Sequence, residues 1–163
     1  KHLANSIGTE RFANAHFDMV RLGIGLYGFI SNQVQAIGRL ETQIIQIKKV
    51  PAGQGVGYGN RDISDKMRSI GVLPIGYADG FDRGLGNGRW SVIVNNKKCQ
   101  TVGNICMDMC MIDVTHMDCN QGDRVILFGN DNTVDEMAKV LGTIPYEIVS
   151  RISERVKRVY LSE

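Results

Sequence analysis

The fold of this chain is decided by residues 40–50, LETQIIQIKKV, in which apolar and often β-branched residues alternate with polar ones. Such alternation is typical of a half-buried β-strand. The turn signal Pro51-Ala52-Gly53 follows directly. From about residue 37 onward, the chain is therefore predicted to consist mainly of strands.

Short apolar runs recur beyond this point, separated by turn signals such as Gly86-Asn87-Gly88 and Asn95-Asn96. They predict further strands near residues 68–76, 90–94, 99–106, 109–114, 123–128 and 155–161. Many short strands joined by such turns favour a closed or nearly closed β structure. The predicted fold class is mainly β, with a barrel-like domain.

One short helix is predicted within this β region, over residues 133–142. Thr133 can cap the helix, Glu136 completes a capping box three residues later, and Gly142 suits the C-terminal stop. The apolar residues that then share one face are Val134, Met137, Ala138 and Leu141.

The first 28 residues differ in character from the rest. Residues 5–15 indicate a loop with a short helix, and residues 17–21 are predicted as a short buried strand. Gly23, Gly25 and Gly28 follow that strand. This order suits the end of a barrel strand, where ligands bind in barrel enzymes.

The composition of the 163 residues excludes several classes of function. A net charge of +2 with 22% charged residues indicates neither a nucleic-acid nor a membrane partner. Four cysteines invite a zinc interpretation, but their spacing does not fit the usual paired ligands, so no metal is predicted. Reduced, buried thiols suit a cytoplasmic protein.

Three Gly-interrupted motifs carry polar or reactive side chains in strand-like surroundings. They are Val56-Gly57-Tyr58-Gly59, Ile75-Gly76-Tyr77-Ala78-Asp79-Gly80 and Ile105-Cys106-Met107-Asp108. Glycine lets the backbone turn sharply and lets a ligand approach closely, which places a tyrosine well to meet a substrate. Any one of these motifs alone is more often a turn whose tyrosine packs.

Taken in this order, the three motifs resemble those of alanine racemase, a pyridoxal-phosphate (PLP) enzyme that interconverts L- and D-alanine. The similarity also runs through residues 2–6, 17–28, 122–123, 125–129, 142–147 and 155–160. Members of that family are more than twice as long as this chain. The resemblance therefore implies that residues 1–28 are the last strand or strands of a (β/α)8 PLP barrel, and residues 29–163 the C-terminal β domain.

The resemblance assigns Tyr58 as a catalytic base that reaches across a dimer interface into the partner's barrel. Racemisation requires one acid/base group on each face of the substrate, and the family's other group is the lysine that binds PLP. A free tyrosine titrates near pH ~10, so a tyrosine that works near neutrality needs surroundings that stabilise phenolate.

The remaining site residues are also implied by the resemblance. Arg21 faces the PLP pyridine nitrogen, and because guanidinium only donates, that nitrogen must accept. The phosphate is expected to bind at Ser6, Gly23, Ile24 and Tyr146, although Pro145 stands where the family commonly has Asn. The backbone N–H of Met107 is expected to meet the substrate carboxylate, with Tyr77 and Asp108 narrowing the entrance.

The family's PLP lysine lies in a Tyr-Gly-His-type setting that this sequence does not contain. We therefore expect the covalent lysine outside this chain, and the chain alone to be inactive. The predicted whole protein is a cytoplasmic, homodimeric isomerase that supplies D-alanine for peptidoglycan of the cell wall. A serine racemase of the same family and a non-catalytic β interaction module are the alternatives.

Overall fold

The computed structural model describes residues 1–29, 36–60 and 62–161. The chain separates into two compact units, Lys1–Arg39 and Leu40–Glu163. The predicted assignment of residues 29–39 to the β domain falls partly outside the described residues and stays a prediction.

In its described residues, the first unit contains one short helix and two 3-10 turns. Helix α1 spans Ser6–Arg11 and begins at Asn5, whose side chain accepts a hydrogen bond from the Gly8 N–H. Two 3-10 turns follow, at Ala13–Ala15 and Ile24–Tyr27. The short helix predicted within residues 5–15 is confirmed.

The strand predicted at residues 17–21 is wrong. Phe17 has a φ of 46° and forms a turn with Asp18, and the Arg21 N–H donates to the Ala4 carbonyl. A strand requires a neighbouring strand to take up its backbone hydrogen bonds. Within the described residues of this unit no strand is present, so the apolar run adopts a turn and irregular structure instead.

The second unit contains most of the regular structure. Its strands in the described residues are β1 Leu40–Gln43, β2 Gln46–Val50, β3 Gly55–Val56, β4 Asp62–Ile63, β5 Arg68–Leu73, β6 Ser91–Val94, β7 Lys97–Val102, β8 Cys110–Asp113 and β9 Arg124–Phe128. Seven of them form one sheet in the order β1-β9-β6-β7-β8-β5-β2, while β3 and β4 pair separately as a two-stranded ribbon. All of the pairings are antiparallel.

The sheet curls because its two edge strands are consecutive in the chain. Only Ile44 and Ile45 separate β1, which pairs with β9, from β2, which pairs with β5. The Ile44 N–H donates to Asp123 beside β9, and the Ile45 N–H donates to Val72 in β5. Residues 40–50 are therefore two strands rather than one, and the mainly β, barrel-like prediction is confirmed.

The core lies inside this curled sheet. Fully buried apolar side chains come from strands and connections alike: Ile44, Leu73, Leu85, Val92, Ile112, Val125 and Leu127. Trp90 is also buried, and its indole N–H donates to the Leu127 carbonyl at 3.0 Å. Burial of each large aliphatic side chain contributes about 1.5–3 kcal/mol.

Helix α2 spans Val134–Leu141 and confirms the predicted helix. The Thr133 hydroxyl accepts from the Glu136 N–H, and the Glu136 carboxylate accepts from the Thr133 N–H. Gly142 ends the helix in the left-handed conformation. A further helix that was not predicted, α3 at Pro145–Ser150, follows directly and has Pro at its first position, where the missing N–H costs nothing.

The strand predicted at residues 155–161 is wrong. This segment contains neither helix nor strand, and the side chains of Val159 and Tyr160 are exposed. The Arg158 guanidinium instead donates to the carbonyls of Ile152, Ser153 and Val156. The alternation of apolar and basic residues in residues 155–161 therefore does not correspond to a strand that pairs in a sheet. Within the described residues, no helix has the length and hydropathy needed to cross a bilayer.

Candidate active site

Tyr58 lies at the tip of the β3–β4 ribbon. Gly57 and Gly59 on either side have φ of +75° and +80°, a conformation that favours glycine, and these two residues turn the chain. The Tyr58 side chain is 76% exposed. It therefore does not pack in its own turn, and it is accessible to another molecule.

A chain of side-chain amides reaches the backbone of Tyr58. The Asn104 amide donates to the Tyr58 carbonyl at 3.4 Å, and the Asn87 amide donates to the Asn104 side-chain oxygen at 3.1 Å. Asn104 stands three residues before Met107. The Tyr58 turn and the segment leading to Met107 are thus neighbours.

The Tyr77 turn and the Met107 segment are joined through their backbones. The Tyr77 N–H donates to the Cys106 carbonyl and the Ala78 N–H to the Met107 carbonyl, each at 3.0 Å. Gly76 allows this approach, because a Cβ at that position would lie 2.3 Å from both carbonyl oxygens. Two of the three sequence motifs therefore form one backbone-paired structure.

Arg155 links the same two motifs through side chains. Its Nε donates to Asp79 and its Nη2 donates to Asp108, both at 2.7 Å. Asp79 also accepts the Gly76 N–H, which fixes the start of the Tyr77 turn. The hydrogen bonds to Asp79 and then to Asp108 raise the pKa of Arg155 above its usual value, and a guanidinium group keeps its proton in proteins in any case.

Ser6 and Gly23 come together in the first unit. The buried Ser6 hydroxyl oxygen accepts from the Gly23 N–H at 2.9 Å and from the Gly25 N–H at 3.2 Å. Ile24 begins the 3-10 turn that follows, so its N–H has no partner within that turn. Serine, glycine and isoleucine are thus neighbours, as the resemblance implies.

Arg21 also lies in the first unit. Its Nη2 donates to the Leu3 carbonyl at 3.1 Å, and its remaining guanidinium N–H groups have donor capacity left. Tyr146 belongs to the second unit, where it is the second residue of helix α3 and is partly exposed. It therefore presents its ring from the start of a helix that the sequence did not predict.

Several residues of this region were missed by sequence reasoning. The sequence predicts Arg155 in a strand and carries no signal that assigns a role to Asn104 or Asp62. Arg155 lies 47 residues from Asp108, and Asn104 lies 46 residues from Tyr58. Contacts at such separation leave no local pattern in a single sequence.

The four cysteines are free thiols. Burial raises the pKa of Cys99 to about 11 and raises the pKa of Cys110 further. Burial also raises the pKa of Cys106 and Cys119. In the part of the chain that the structure describes, no three His, Cys, Asp or Glu side chains are grouped so as to hold a metal ion.

Comparison with known proteins defines the class of this β domain. Residues 37–160 match the family model described as alanine racemase, C-terminal domain. The chain belongs to the alanine racemase family.

Relatives of known sequence and structure agree with that assignment. An alanine racemase from Clostridium novyi is 41% identical over 175 residues, covering 99% of this chain and 45% of the relative. The structure of alanine racemase from Clostridium difficile 630 in complex with cycloserine superimposes with a TM-score of 0.89 at 38% identity, covering 99% of this chain and 45% of that one.

Another related structure is alanine racemase from Bartonella henselae with covalently bound pyridoxal phosphate. Its TM-score is 0.87 at 34% identity, covering 97% of this chain and 46% of that chain. This chain thus spans just under half the length of the relatives that it matches.

Proposed function

We propose that the whole protein containing this chain is a PLP-dependent racemase that interconverts L- and D-alanine. The observation that carries this proposal is the exposed Tyr58 side chain, on a turn adjoining the Met107 segment, in a chain of the alanine racemase family. The proposed whole protein is a cytoplasmic homodimer that supplies D-alanine for peptidoglycan. An exposed tyrosine is what a base serving a partner subunit's site requires.

The residues of the first unit fit the phosphate of PLP. Both lone pairs of the Ser6 hydroxyl oxygen are occupied by the Gly23 and Gly25 N–H groups, which leaves its proton to be donated to an acceptor. The Ile24 N–H, at the start of its turn, is a second donor. A Cβ on Gly23 would meet no atom within 4 Å, so the backbone there is open to a ligand. Tyr146 would add a further hydroxyl donor, as the family resemblance implies.

When bound, PLP supplies the electron sink that makes proton removal at the substrate Cα feasible. Arg21 would hold the pyridine nitrogen by donating a hydrogen bond to it, and a guanidinium group cannot transfer its own proton there. The nitrogen would therefore stay unprotonated, which would restrain side reactions such as transamination.

Tyr58 would hold and move the proton at one face of the substrate Cα. The lysine that binds PLP, expected outside this chain, would serve the other face. Met107 would orient the substrate by donating its backbone N–H to the carboxylate, while Tyr77 and Asp108 narrow the entrance. The backbone pairing of the Tyr77 turn with the Met107 segment supports a fixed carboxylate position.

The test is racemisation by the purified whole protein supplied with PLP. L-alanine and, in parallel, L-serine are incubated with the enzyme, and the D-enantiomers are separated by chiral chromatography. We expect alanine to be racemised at least about tenfold faster than serine, because one extra polar group in a small pocket changes selectivity by this order. Faster racemisation of serine would overturn the substrate assignment, and inactivity toward both would overturn the proposed function.

A further inference from the structure

Tyr58 is carried by an element too short to hold it in place unaided. Among the residues that the structure describes, the ribbon is formed by two pairs, Gly55↔Ile63 and Val56↔Asp62. Even complete two-stranded hairpins are marginally stable in water. The contact from Asn104 to the Tyr58 carbonyl, at 3.4 Å, is long for a hydrogen bond. The position of the Tyr58 turn must therefore be fixed by a stronger contact elsewhere.

Asp62 provides that contact from the first position of β4. Its Oδ2 accepts from the Gly103 N–H at 2.9 Å, and its Oδ1 forms an ion pair with Nη2 of Arg68 at 2.7 Å. Nη2 of Arg68 also donates to the Asp62 carbonyl at 3.1 Å. Both oxygens of the Asp62 carboxylate thus have a partner: Oδ2 binds the segment at Gly103, and Oδ1 binds Arg68 in strand β5.

The surroundings make these bonds strong. The side chains of Arg68 and Asp62 are only 14% and 23% exposed, so water screens the ion pair less than at an open surface. Hydrogen bonds to an ionised carboxylate are about twice as strong as those between neutral groups. Gly103 also packs against the other strand of the ribbon, since a Cβ there would lie 2.9 Å from the Val56 carbonyl.

We propose that Asp62 is a positioning residue, whose carboxylate fixes the Tyr58 turn to the Gly103 segment that leads to Met107. This inference rests on the proposed function, in which Tyr58 is the base. Asp62 touches neither substrate nor cofactor and acts through the placement of Tyr58. Misplacement of a reacting group by about 1 Å can lower a rate about 100-fold, so a modest loosening of the turn is sufficient to slow catalysis.

The test compares Asp62→Asn with Asp65→Asn in the whole holoenzyme. Asn keeps the size of the side chain and removes its charge, so the ion pair with Arg68 is lost. Asp65 is exposed and lies three residues along the chain, which makes it a matched control for the loss of one negative charge. Amide hydrogen exchange is measured for residues 57–60, and solvent deuterium exchange at Cα is measured from each enantiomer of alanine.

In Asp62→Asn we expect amide exchange in residues 57–60 to rise at least about tenfold, because the turn opens more readily. Cα exchange from L-alanine should fall about tenfold, while exchange from D-alanine stays within about twofold. The control should match the wild type in both measurements. A purely structural role would lower exchange from both enantiomers equally, so an equal loss overturns the proposal, as does unchanged amide exchange.

The same substitution in a Tyr58→Phe background separates this inference from the proposed function. If Asp62 acts through Tyr58, adding Asp62→Asn to the Tyr58→Phe variant should lower its remaining rate of Cα exchange from L-alanine by less than about twofold. A further tenfold loss overturns the positioning role and leaves Tyr58 as the base. If Tyr58→Phe alone retains wild-type exchange from L-alanine, the proposed function fails first, and the positioning role fails with it.

A second variant covers the case in which Asp62→Asn does not fold. Asp62→Glu keeps the charge but moves the carboxylate by one methylene, so the two bonds cannot both keep their geometry. It should show the same selective loss of exchange from L-alanine, with a smaller amplitude. Wild-type behaviour of Asp62→Glu in both the amide and the Cα measurements would contradict the proposal.

Discussion

Arg155 lies 2.7 Å from Asp108, with its Nη2 donating to the carboxylate oxygen Oδ1. Its Nε donates at the same time to Asp79 in the Tyr77 turn. One guanidinium group from the irregular C-terminal segment therefore joins the two loops that are proposed to bind and enclose the substrate. The planar fork of donors in arginine suits this double contact, which a lysine cannot reproduce.

Replacing Arg155 by Ala should raise the KM for alanine more than it lowers kcat in the whole enzyme. The Met107 segment would keep its backbone bonds to the Tyr77 turn but lose its side-chain link, so substrate binding weakens by roughly three- to tenfold. Steady-state kinetics measure the two constants separately. Lys157→Ala, two residues along and exposed, is the control and should behave as wild type. An unchanged KM in Arg155→Ala would contradict this role.

Gly76→Ala should destabilise the protein by at least about 2 kcal/mol, because the added methyl would lie 2.3 Å from two carbonyl oxygens of the Met107 segment. Neither carbonyl can move without breaking its bond to the Tyr77 turn. Gly38→Ala is the control, since its Cβ would meet the Phe29 ring at an ordinary 3.6 Å. Denaturant unfolding measures the free energy of unfolding of both variants. Equal values would contradict this prediction, because they would show that the Met107 segment can shift to accommodate the added methyl group.

The rate at which each cysteine thiol is labelled should be lower the more deeply the thiol is buried. A raised pKa lowers the thiolate fraction at a given pH, so at pH 8 Cys99 and Cys110 should react with iodoacetamide far more slowly than Cys119. Labelling of Cys99 should increase as the pH rises toward about 11, provided that the fold persists. Mass spectrometry of digested protein locates the label. Labelling of Cys99 as fast as Cys119 at pH 8 is the result that this structure does not allow.

The fold of the second unit could be predicted from the sequence, because the patterns that indicate its strands and helix each span only a few consecutive residues. Alternation around Ile47 and the Thr133–Glu136 capping box each lie within a few residues, and both correspond to the observed elements. The ends of the strands were predicted less accurately. Strand β5 ends at Leu73 because Pro74 cannot donate to a ladder, although the apolar run continues beyond it.

The errors share a physical cause, which is dependence on distant partners. The strand predicted at residues 17–21 has no neighbouring strand among the described residues of its unit. In place of the strand predicted near Tyr160, the guanidinium of Arg158 contacts backbone carbonyls. Ribbon strands β3 and β4 are two residues long, below the length at which alternation is visible. Of the site, the motifs identified Tyr58 and Tyr77 as turn residues, and Asp62 and Asp79 lie close to them in the sequence. The groups that these two carboxylates bind, the Gly103 N–H and the Arg155 guanidinium, are remote in sequence.

A polypeptide of residues 1–163 alone should not hold PLP covalently. The family resemblance predicts that none of its lysines is the PLP lysine, so they should react with the aldehyde only weakly and without preference. Incubation with PLP, reduction with borohydride and peptide mapping test this expectation. A stoichiometric adduct at one lysine would place the covalent site within this chain. Treatment of the whole protein provides the positive control.

The most direct test of the proposed function is Cα proton exchange in the whole enzyme carrying Tyr58→Phe. Phenylalanine keeps the ring and removes only the hydroxyl, and since Tyr58 is exposed, the fold should be unaffected. Racemisation should fall by orders of magnitude in both directions, because each direction needs both proton transfers. Deuterium exchange in heavy water should persist from D-alanine, through the lysine, and nearly vanish from L-alanine. Wild-type exchange from L-alanine in the folded variant would contradict the assignment of Tyr58 as the base.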